Sequence, residues 1–129
     1  MIVVDTNVLV YLTFPTRYTD AAKQLLVADD EWAVPVLWQS EYRNVLAQYL
    51  RQKLITYSDA IRLFEETAGL VGQRVFAVTT IDVLELIQAS SCSAYDCEYV
   101  ALARALKTRL VTMDKQLINV FPETAERLC

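Results

Sequence analysis

The first ten residues read Met1-Ile2-Val3-Val4-Asp5-Thr6-Asn7-Val8-Leu9-Val10, so a continuous apolar run meets an acid and an amide. Consecutive apolar residues, several of them β-branched, are typical of a parallel strand that is buried on both faces. Asp5 then falls at the carboxyl end of this strand, where ligands bind in open α/β sheets. The alternative interpretation is that Asp5 caps the helix that follows, as aspartate often does. The stretch predicts a buried strand that ends either in a site or in a helix cap.

Length and composition limit the class of protein that can contain this stretch. The chain has 129 residues, of which 54% are hydrophobic and 22% are charged. These values indicate a single folded domain over residues 1–129 with a substantial core. No apolar run approaches the roughly 18 residues of a membrane span, and the N-terminus lacks the pattern of a signal peptide. We therefore expect no membrane segment and a cytoplasmic location.

The scarcity of two residue types narrows the possible chemistry. The chain contains no histidine and three cysteines, Cys92, Cys97 and Cys129, without a Cys-x-x-Cys pair. The absence of histidine excludes Ser-His-Asp and Cys-His catalysis and imidazole zinc sites. Three cysteines in this arrangement support neither a disulfide framework nor a zinc knuckle. Any catalysis is therefore expected to use carboxylates.

Strand-like and helix-like segments alternate along the rest of the chain. Short apolar runs at 32–37, 74–79 and 109–113 have the composition of strands. Between these runs, apolar residues recur at helical spacing. One predicted helix is capped by Thr19 or Asp20, and two more cover 40–53 and 58–70, the latter with Ser58 as its cap. Thr80 and Ser93 are the predicted caps of the next two helices, and a last one covers 115–120. This alternation is typical of a parallel α/β sheet.

Two further acids lie inside predicted helices. Asp96 is in line with Tyr99, Val100 and Ala103, so its carboxylate is expected to point toward the apolar side of its helix. A buried ionised acid is costly unless it is paired or bound to a metal. The alternative is a capping box with Ser93. Glu41 lies near the start of its helix, where it could simply favour the positive end of the helix dipole.

A fourth acid, Asp114, repeats the pattern of Asp5 because it directly follows the strand-like run Leu110-Val111-Thr112-Met113. Here too the alternative is a helix cap. Together, the four acids favour a cation site, because clustered carboxylates repel one another and Mg²⁺ prefers oxygen ligands. Bound metal ions of this kind can position a water nucleophile and neutralise the leaving oxygen in phosphodiester cleavage.

Four motifs carry a resemblance that covers the whole chain. They are Val3-Val4-Asp5-Thr6-Asn7, then Ser40-Glu41, then Ser93-Ala94-Tyr95-Asp96-Cys97-Glu98-Tyr99-Val100-Ala101-Leu102-Ala103, and finally Leu110-Val111-Thr112-Met113-Asp114. Because these motifs occur in this order, the chain resembles the PIN-domain nucleases, and within them the small VapC-like toxins of prokaryotic toxin–antitoxin pairs. The resemblance implies a three-layer α/β/α sandwich with a central, mostly parallel sheet. It also implies a Mg²⁺- or Mn²⁺-dependent ribonuclease.

The resemblance assigns roles to individual residues. Asp5, Glu41, Asp96 and Asp114 are expected to be the catalytic, metal-binding acids, while Thr6, Asn7 and Thr112 support the ligands or contact phosphate. Some relatives place a further acid two residues after the last aspartate, whereas Lys115 and Gln116 follow here, which leaves the number of metal ions open. Glu98 lies two positions beyond Asp96 and is expected to face solvent on another side of the helix.

Two other classes of function remain as alternatives. A haloacid-dehalogenase-like phosphatase also has an aspartate after its first strand, but such enzymes usually carry Asp-x-Asp-x-Thr, and position 7 here is Asn. A non-catalytic domain that binds RNA or protein would keep the acids only as caps. A PIN nuclease without an antitoxin is a third possibility.

Charge and aromatic content add expectations about partners. Sixteen acids and twelve basic residues give a net charge of −4, so four acids in one cleft would leave the remaining surface neutral on average. RNA binding is then expected to require divalent metal, with Arg43, Arg51, Lys53 and Lys115 guiding the phosphate backbone. The first half is rich in aromatics, namely Trp32, Trp38, Tyr42, Tyr49, Tyr57 and Phe64. These aromatics are either ordinary core or interface, and the resemblance favours a homodimer with an antitoxin segment over the helices at 40–53 and 58–70.

Overall fold

The structure, a computed structural model, describes residues 1–129, which form five strands and seven helices. The strands are β1 (Ile2–Val4), β2 (Trp32–Pro35), β3 (Val75–Phe76), β4 (Leu110–Thr112) and β5 (Ala125–Arg127). The helices are α1 (Thr6–Thr13), α2 (Thr19–Ala28), α3 (Trp38–Arg51), α4 (Tyr57–Val71), α5 (Thr80–Gln88), α6 (Ala94–Ala105) and α7 (Lys115–Val120).

All five strands join one parallel sheet in the order β3-β2-β1-β4-β5. β1 lies in the centre, where Val3 is in register with Ala33 of β2 on one side and with Leu110 of β4 on the other. The predicted parallel α/β sheet is confirmed. Because β1 and β4 are parallel neighbours, the residues that follow them emerge at the same edge of the sheet.

Successive residues of the central strand enter two separate cores. Val3 packs with residues of α5, α6 and α7, whereas Ile2 and Val4 pack with residues of α1, α3 and α4. Alternation across the strand explains this division, because neighbouring side chains point to opposite faces of a sheet. The sheet is thus covered by helices on both faces, and the expected three-layer α/β/α sandwich is confirmed.

Four predicted helix caps or starts are wrong by one or two positions, and the caps in the structure explain why. Two of them involve a hydroxyl residue near the true cap. Thr56, not Ser58, caps α4, because its side chain accepts from the Asp59 N–H while the Asp59 carboxylate accepts from the Thr56 N–H. Likewise Thr79, and not Thr80, caps α5. The adjacent hydroxyl residues made the sequence ambiguous at both positions.

The other two starts lack a side-chain cap altogether. α2 begins at Thr19 after Tyr18, so neither Thr19 nor Asp20 is the cap residue. α3 begins at Trp38, two residues before the predicted start at position 40. A helix without a capping side chain has no local sequence signal for its first residue. The caps predicted at Ser93 and at Asp114 are present.

The sheet also differs from the predicted strands at its two edges. β3 is limited to Val75–Phe76, whereas the sequence predicted a strand over 74–79. β5 was not predicted, because Ala125–Arg127 is three residues long and contains Glu126 and Arg127, which are exposed. Edge strands often carry charged side chains and therefore lack an apolar pattern.

Three of the six aromatic residues named in the first half are fully buried core. Trp32, Trp38 and Tyr42 are at most 1% exposed, whereas Tyr57 is 74% exposed. The core interpretation is therefore correct for these three, and Tyr57 is left on the surface. None of the helices has the length and apolar character that crossing a bilayer requires.

Candidate functional site

One cavity of about 540 Å³ opens beside the carboxyl ends of β1 and β4. α3 lines one side of the cavity with a single face, since the lining positions 41, 44, 45, 48 and 49 follow helical spacing. The lining residues are Asp5, Thr6, Asn7, Val10, Tyr11, Glu41, Asn44, Val45, Gln48, Tyr49, Asp96 and Asp114. The structure therefore brings together all four acids predicted from the sequence, along with Thr6 and Asn7.

Asp5 lines this cavity, here termed the acid cavity, with only 8% of its surface exposed. Its Oδ1 accepts a 2.8 Å hydrogen bond from the Thr6 N–H, and its Oδ2 accepts a 2.7 Å bond from the Thr112 hydroxyl. Burial, and the nearby charges of Glu41 and Asp96, raise the pKa of Asp5 to about 7. Asp5 is both the N-cap of α1 and a cavity residue, so the two interpretations of the sequence are compatible.

Thr112 connects the ends of the two central strands. Its hydroxyl donates to Asp5 Oδ2 and accepts a 3.0 Å hydrogen bond from the Asp114 N–H. Thr112 is completely buried and does not line the cavity. Its position fits support of Asp5 rather than contact with a phosphate.

Glu41 is held by two hydroxyl groups from other helices. The Thr6 hydroxyl oxygen lies 3.0 Å from Glu41 Oε1, and the Tyr99 hydroxyl donates to the same oxygen at 2.5 Å. Tyr99 is fully buried, and burial together with the charges of Glu41 and Asp5 raises the pKa of its phenol above the usual value. Tyr99 therefore remains a protonated donor. The sequence analysis placed Tyr99 on the apolar face of α6 and gave it no role at the site.

Asp96 is only partly engaged in capping α6. Its N–H donates to Ser93 Oγ at 3.1 Å, but its carboxylate makes no return bond to the Ser93 backbone. The capping box is therefore only half formed, and the carboxylate lines the acid cavity. Burial and the charges of Asp114 and Glu41 raise the pKa of Asp96.

Asp114 caps α7 through one oxygen. Its Oδ1 accepts from the N–H groups of Gln116 and Leu117 at 2.9 Å and 3.4 Å. No hydrogen bond engages its other oxygen, and the side chain borders the cavity. The cap interpretation is thus correct for Asp114, and it is compatible with a place at the site.

Asn7 contributes an unpaired oxygen close to the acids. Its Nδ2 lies 3.5 Å from both Asp5 Oδ2 and Thr112 Oγ1. Its Oδ1 is buried and has no hydrogen-bond partner. Buried polar atoms are nearly always paired, so an orphaned oxygen here is a candidate contact for a ligand.

The chemistry of the cavity suits a hard cation. No lysine or arginine lines it, so its carboxylates have no protein counter-charge there. Its acids and amides supply the oxygen donors that Mg²⁺ and Mn²⁺ accept. However, no three of these side chains converge closely enough to hold one ion as they stand. The residues therefore fit a divalent cation in type and location, while direct ligation requires some of their side chains to rotate.

Two surface predictions need correction. Arg43 lies away from the acids, with its guanidinium 5.3 Å from the centre of the Phe64 ring. Glu98 is half-buried rather than fully solvated, and burial and the charge of Glu41 raise its pKa. Glu98 does not line the acid cavity. Arg51, Lys53 and Lys115 are exposed and also lie outside the cavity lining.

Two other depressions lie outside the site. An apolar depression of about 380 Å³, here termed the α3–α4 groove, is lined by Arg43, Leu46, Ala47, Leu50, Tyr57, Ala60, Ile61, Phe64 and Glu65. A depression of about 510 Å³ lies beside α5 and α6 and contains none of the predicted site residues. The acid cavity is therefore the only one of the three that combines the predicted residues.

Comparison with known proteins matches this chain to one family. The PIN domain matches residues 2–122. A VapC ribonuclease of Mycobacterium bovis is 32% identical over 117 residues, which cover 91% of this chain and 88% of the relative. Ribonuclease VapC3 of Pyrobaculum aerophilum is 27% identical over 124 residues, which cover 94% and 95% of the two chains. A solved toxin–antitoxin complex from Klebsiella pneumoniae contains a chain with a TM-score of 0.72 at 18% identity, covering 100% of this chain and 98% of that one.

The chain belongs to the PIN-domain family, in its VapC branch. The likeness to the Klebsiella pneumoniae chain supports the fold alone, because the identity is low. The family resemblance predicted from the four sequence motifs is therefore confirmed.

Proposed function

We propose that this protein is a divalent-metal-dependent ribonuclease and the toxin of a toxin–antitoxin pair. The observation that carries the proposal is that Asp5, Glu41, Asp96 and Asp114 line one cavity without a basic side chain. Two relatives of nearly the same length are named VapC ribonucleases. The cytoplasmic location remains a prediction.

The proposed ligands for Mg²⁺ or Mn²⁺ are these four acids. Thr6 and Asn7 are proposed to support them or to contact phosphate, and Thr112 to support Asp5. When bound, the metal would activate a water for attack on phosphorus and stabilise the charge that develops on the phosphate oxygens. The Thr112 hydroxyl donates to Asp5, and the Thr6 hydroxyl contacts Glu41. The unpaired oxygen of Asn7 is available to accept a hydrogen bond from a bound water or a ribose hydroxyl.

The test of the nuclease compares two aspartates in equivalent helical positions. Asp96 and Asp82 each follow a hydroxyl cap by three residues, and the N–H of each donates to that cap. Asp96 lines the acid cavity, whereas Asp82 lies outside it. We expect Asp96→Asn to abolish cleavage of RNA in Mg²⁺ or Mn²⁺ and Asp82→Asn to retain it. Cleavage by the Asp96→Asn protein at the wild-type rate would remove Asp96 from the mechanism.

Substrate binding is proposed to depend on the metal, since the cavity is acidic and RNA is an anion. We expect RNA to bind more tightly in Ca²⁺, which supports binding with slow cleavage, than in chelator. Fluorescence anisotropy of a labelled RNA measures both conditions. Equal affinity would indicate a separate basic binding surface, for which Arg51, Lys53 and Lys115 are the exposed candidates.

The α3–α4 groove is the proposed binding surface for the antitoxin. It presents apolar side chains to solvent, among them Tyr57 and Ile61, which are 74% and 44% exposed. Arg43 and Glu65 provide both signs of charge at its lining. An amphipathic segment that places apolar residues at helical spacing would fill such a groove.

The antitoxin proposal can be tested with the product of the adjacent upstream reading frame. Co-expression is expected to suppress RNA cleavage and to yield a complex that co-purifies. Ile61→Asp should weaken the complex, whereas Val27→Asp, at an 89% exposed position on α2, should not. If no upstream product binds, a PIN nuclease without an antitoxin becomes the better description.

A homodimer is also proposed, and its surface is expected on α5. Ile81 and Leu84 are 70% and 56% exposed and share one face of that helix. Exposed apolar residues grouped in this way mark interaction surfaces more often than isolated ones do. Sedimentation at micromolar concentration should show a dimer that Ile81→Asp dissociates and Val27→Asp does not. A monomeric wild-type protein would contradict the proposal.

A further inference from the structure

A fully buried tyrosine that does not line the acid cavity forms a hydrogen bond to Glu41, one of the acids of the cavity. Tyr99 on α6 is 0% exposed and is absent from the cavity lining, yet its hydroxyl contacts residues of two other helices. The Tyr99 oxygen lies 2.5 Å from Glu41 Oε1 on α3 and 2.5 Å from Thr6 Oγ1 on α1. The Thr6 and Glu41 oxygens are 3.0 Å apart. Three helices therefore meet at one triangle of oxygen atoms.

The number of available protons determines which hydroxyl donates to which oxygen in this triangle. An ionised glutamate only accepts, while each hydroxyl supplies one proton, so two protons serve three contacts. The two shorter contacts are those of Tyr99, and charge-assisted O–H···O⁻ bonds have lengths of about 2.5–2.7 Å. The consistent arrangement is that Thr6 donates to Tyr99 and Tyr99 donates to Glu41. The longer Thr6–Glu41 contact then carries no proton, and Tyr99 is the direct donor to the carboxylate.

In this arrangement the two carboxylate oxygens of Glu41 have different environments. Oε1 of Glu41 is engaged by the hydroxyl groups, and Oε2 has no hydrogen bond to the protein. Glutamate has several rotatable bonds, and fixing one oxygen restricts which way the other points. Because Tyr99 is packed in the core among buried residues of α6, it cannot move without disturbing that core.

We propose that Tyr99 is a positioning residue that fixes Glu41 so that Oε2 is presented to the acid cavity. The proposal rests on the proposed function only in that Glu41 is taken to bind the metal. Tyr99 touches neither the cavity nor a substrate, so it acts through Glu41 and not on the reacting atoms.

A second buried tyrosine provides a matched control. Tyr42 is also 0% exposed, and its hydroxyl bonds to a threonine of α1, Thr13, at 2.8 Å. No acid takes part in that bond. Tyr99→Phe and Tyr42→Phe therefore each remove one buried hydroxyl bonded to α1, but only the first removes a donor to Glu41.

The experiment measures the Kd for Mn²⁺ by calorimetry for the wild type and both variants. Unfolding in chelator compares the stability of the same three proteins without metal. We expect Tyr99→Phe to raise the Kd for Mn²⁺ by about 10–100-fold, the range found for groups that support metal ligands. Tyr42→Phe should leave this Kd within about twofold, because it supports no ligand. An unchanged Kd for Tyr99→Phe, or an equal rise for Tyr42→Phe, would overturn the proposal.

Two further measurements separate the possible failures. In a Glu41→Gln background, Tyr99→Phe should have no additional effect on the Kd, since the two residues act as one unit. Equal effects with and without Glu41 would mean that Tyr99 does not act through it. If the wild-type protein binds no Mn²⁺, the proposed metal site itself is wrong. If Tyr99→Phe does not fold, Thr6→Val replaces it: a smaller rise in Kd supports the triangle, and an unchanged Kd overturns it.

Discussion

β1 and β4 are neighbouring parallel strands that both end in an aspartate followed by a helix, yet the two aspartates differ in environment. Asp5 is buried, and its pKa is raised to about 7, whereas Asp114 is partly exposed and caps α7. The helices explain the difference. α1 packs against α2 and α3, whereas α7 is a six-residue helix whose first residues, Lys115 and Gln116, are exposed. The same pattern of apolar strand, acid and helix thus gives a buried acid or a surface cap according to what covers the helix.

The largest expected effect tests whether the buried acid is the more important of the two for catalysis. Asp5→Asn should lower RNA cleavage by about a thousandfold or more, because one fixed group that stabilises developing charge is worth 10²–10³ by itself. The fold should persist, since asparagine is nearly the same size and also caps helices. A single-turnover assay with saturating Mn²⁺ measures the loss, and circular dichroism checks the fold. Residual cleavage within tenfold of wild type would contradict this role for Asp5.

The second expected effect concerns pH and applies to the metal-free protein. The folded-state pKa of Asp5, about 7, lies above its ordinary value of 3.8, so between these limits the folded state binds more protons than the unfolded state. The stability linked to protonation is therefore complete below about pH 4 and lost as pH rises through 7. The loss is about 4 kcal/mol, and Asp96, whose pKa is also raised, adds to it.

Urea unfolding in chelator at several pH values from 4 to 8 measures this slope. Asp5→Asn should remove most of it, because asparagine does not titrate. Asp114→Asn should leave most of the slope in place, because Asp5 stays buried and bonded to Thr112 in that variant. Equal slopes in the two variants would mean that the environments of the two acids do not differ as described.

The third effect concerns Thr112, which joins the two acids. Thr112→Val should destabilise the fold by about 1–3 kcal/mol, because a buried acceptor on Asp5 and the Asp114 N–H lose their partner. It should also raise the pKa of Asp5 further, since the lost hydrogen bond favours the ionised form. Thr67→Val is the control, because Thr67 is equally buried but bonds only to its own helix. If both variants show the same pH dependence, Thr112 does not influence Asp5.

The smallest effect separates the two roles of Asp114. Asp114→Ala should cost about 1 kcal/mol of stability, whereas Asp114→Asn should cost almost nothing, because asparagine caps as well as aspartate does. Both variants should lose metal-dependent cleavage, since both remove the charge. Unfolding in chelator measures the stability, and RNA cleavage in Mn²⁺ measures the activity. Full cleavage by Asp114→Asn would show that Asp114 is only a cap.

The sequence was sufficient to predict the central part of the molecule, because the signals for it lie within short stretches of the chain. The apolar runs of β1 and β4 are buried on both faces, and the acids that follow them meet because parallel neighbours end at the same edge. Asp96 could be placed by its alignment with the apolar face of α6. In each case, one short stretch contained the whole signal.

The parts that were missed depend on contacts between distant stretches. Tyr99 was recognised as apolar-facing, and a buried tyrosine usually needs a partner for its hydroxyl. That partner, Glu41, is 58 positions away, so no local pattern could identify it. Similarly, Ala125–Arg127 becomes a strand only by pairing with β4. The side-chain direction of Arg43 was decided by Phe64 on another helix.

The central place of β1 in the sheet has a consequence for the timing of biosynthesis. Asp5 is made 107 positions before Thr112, the residue that supports it. At translation rates of about 5–20 residues per second, roughly 5–20 s separate the two. During that interval β1 lacks its β4 neighbour, and Asp114, one wall of the cavity, does not yet exist. The acid cavity therefore cannot assemble until synthesis has passed Asp114, and the order of synthesis itself delays the activity proposed for the finished protein.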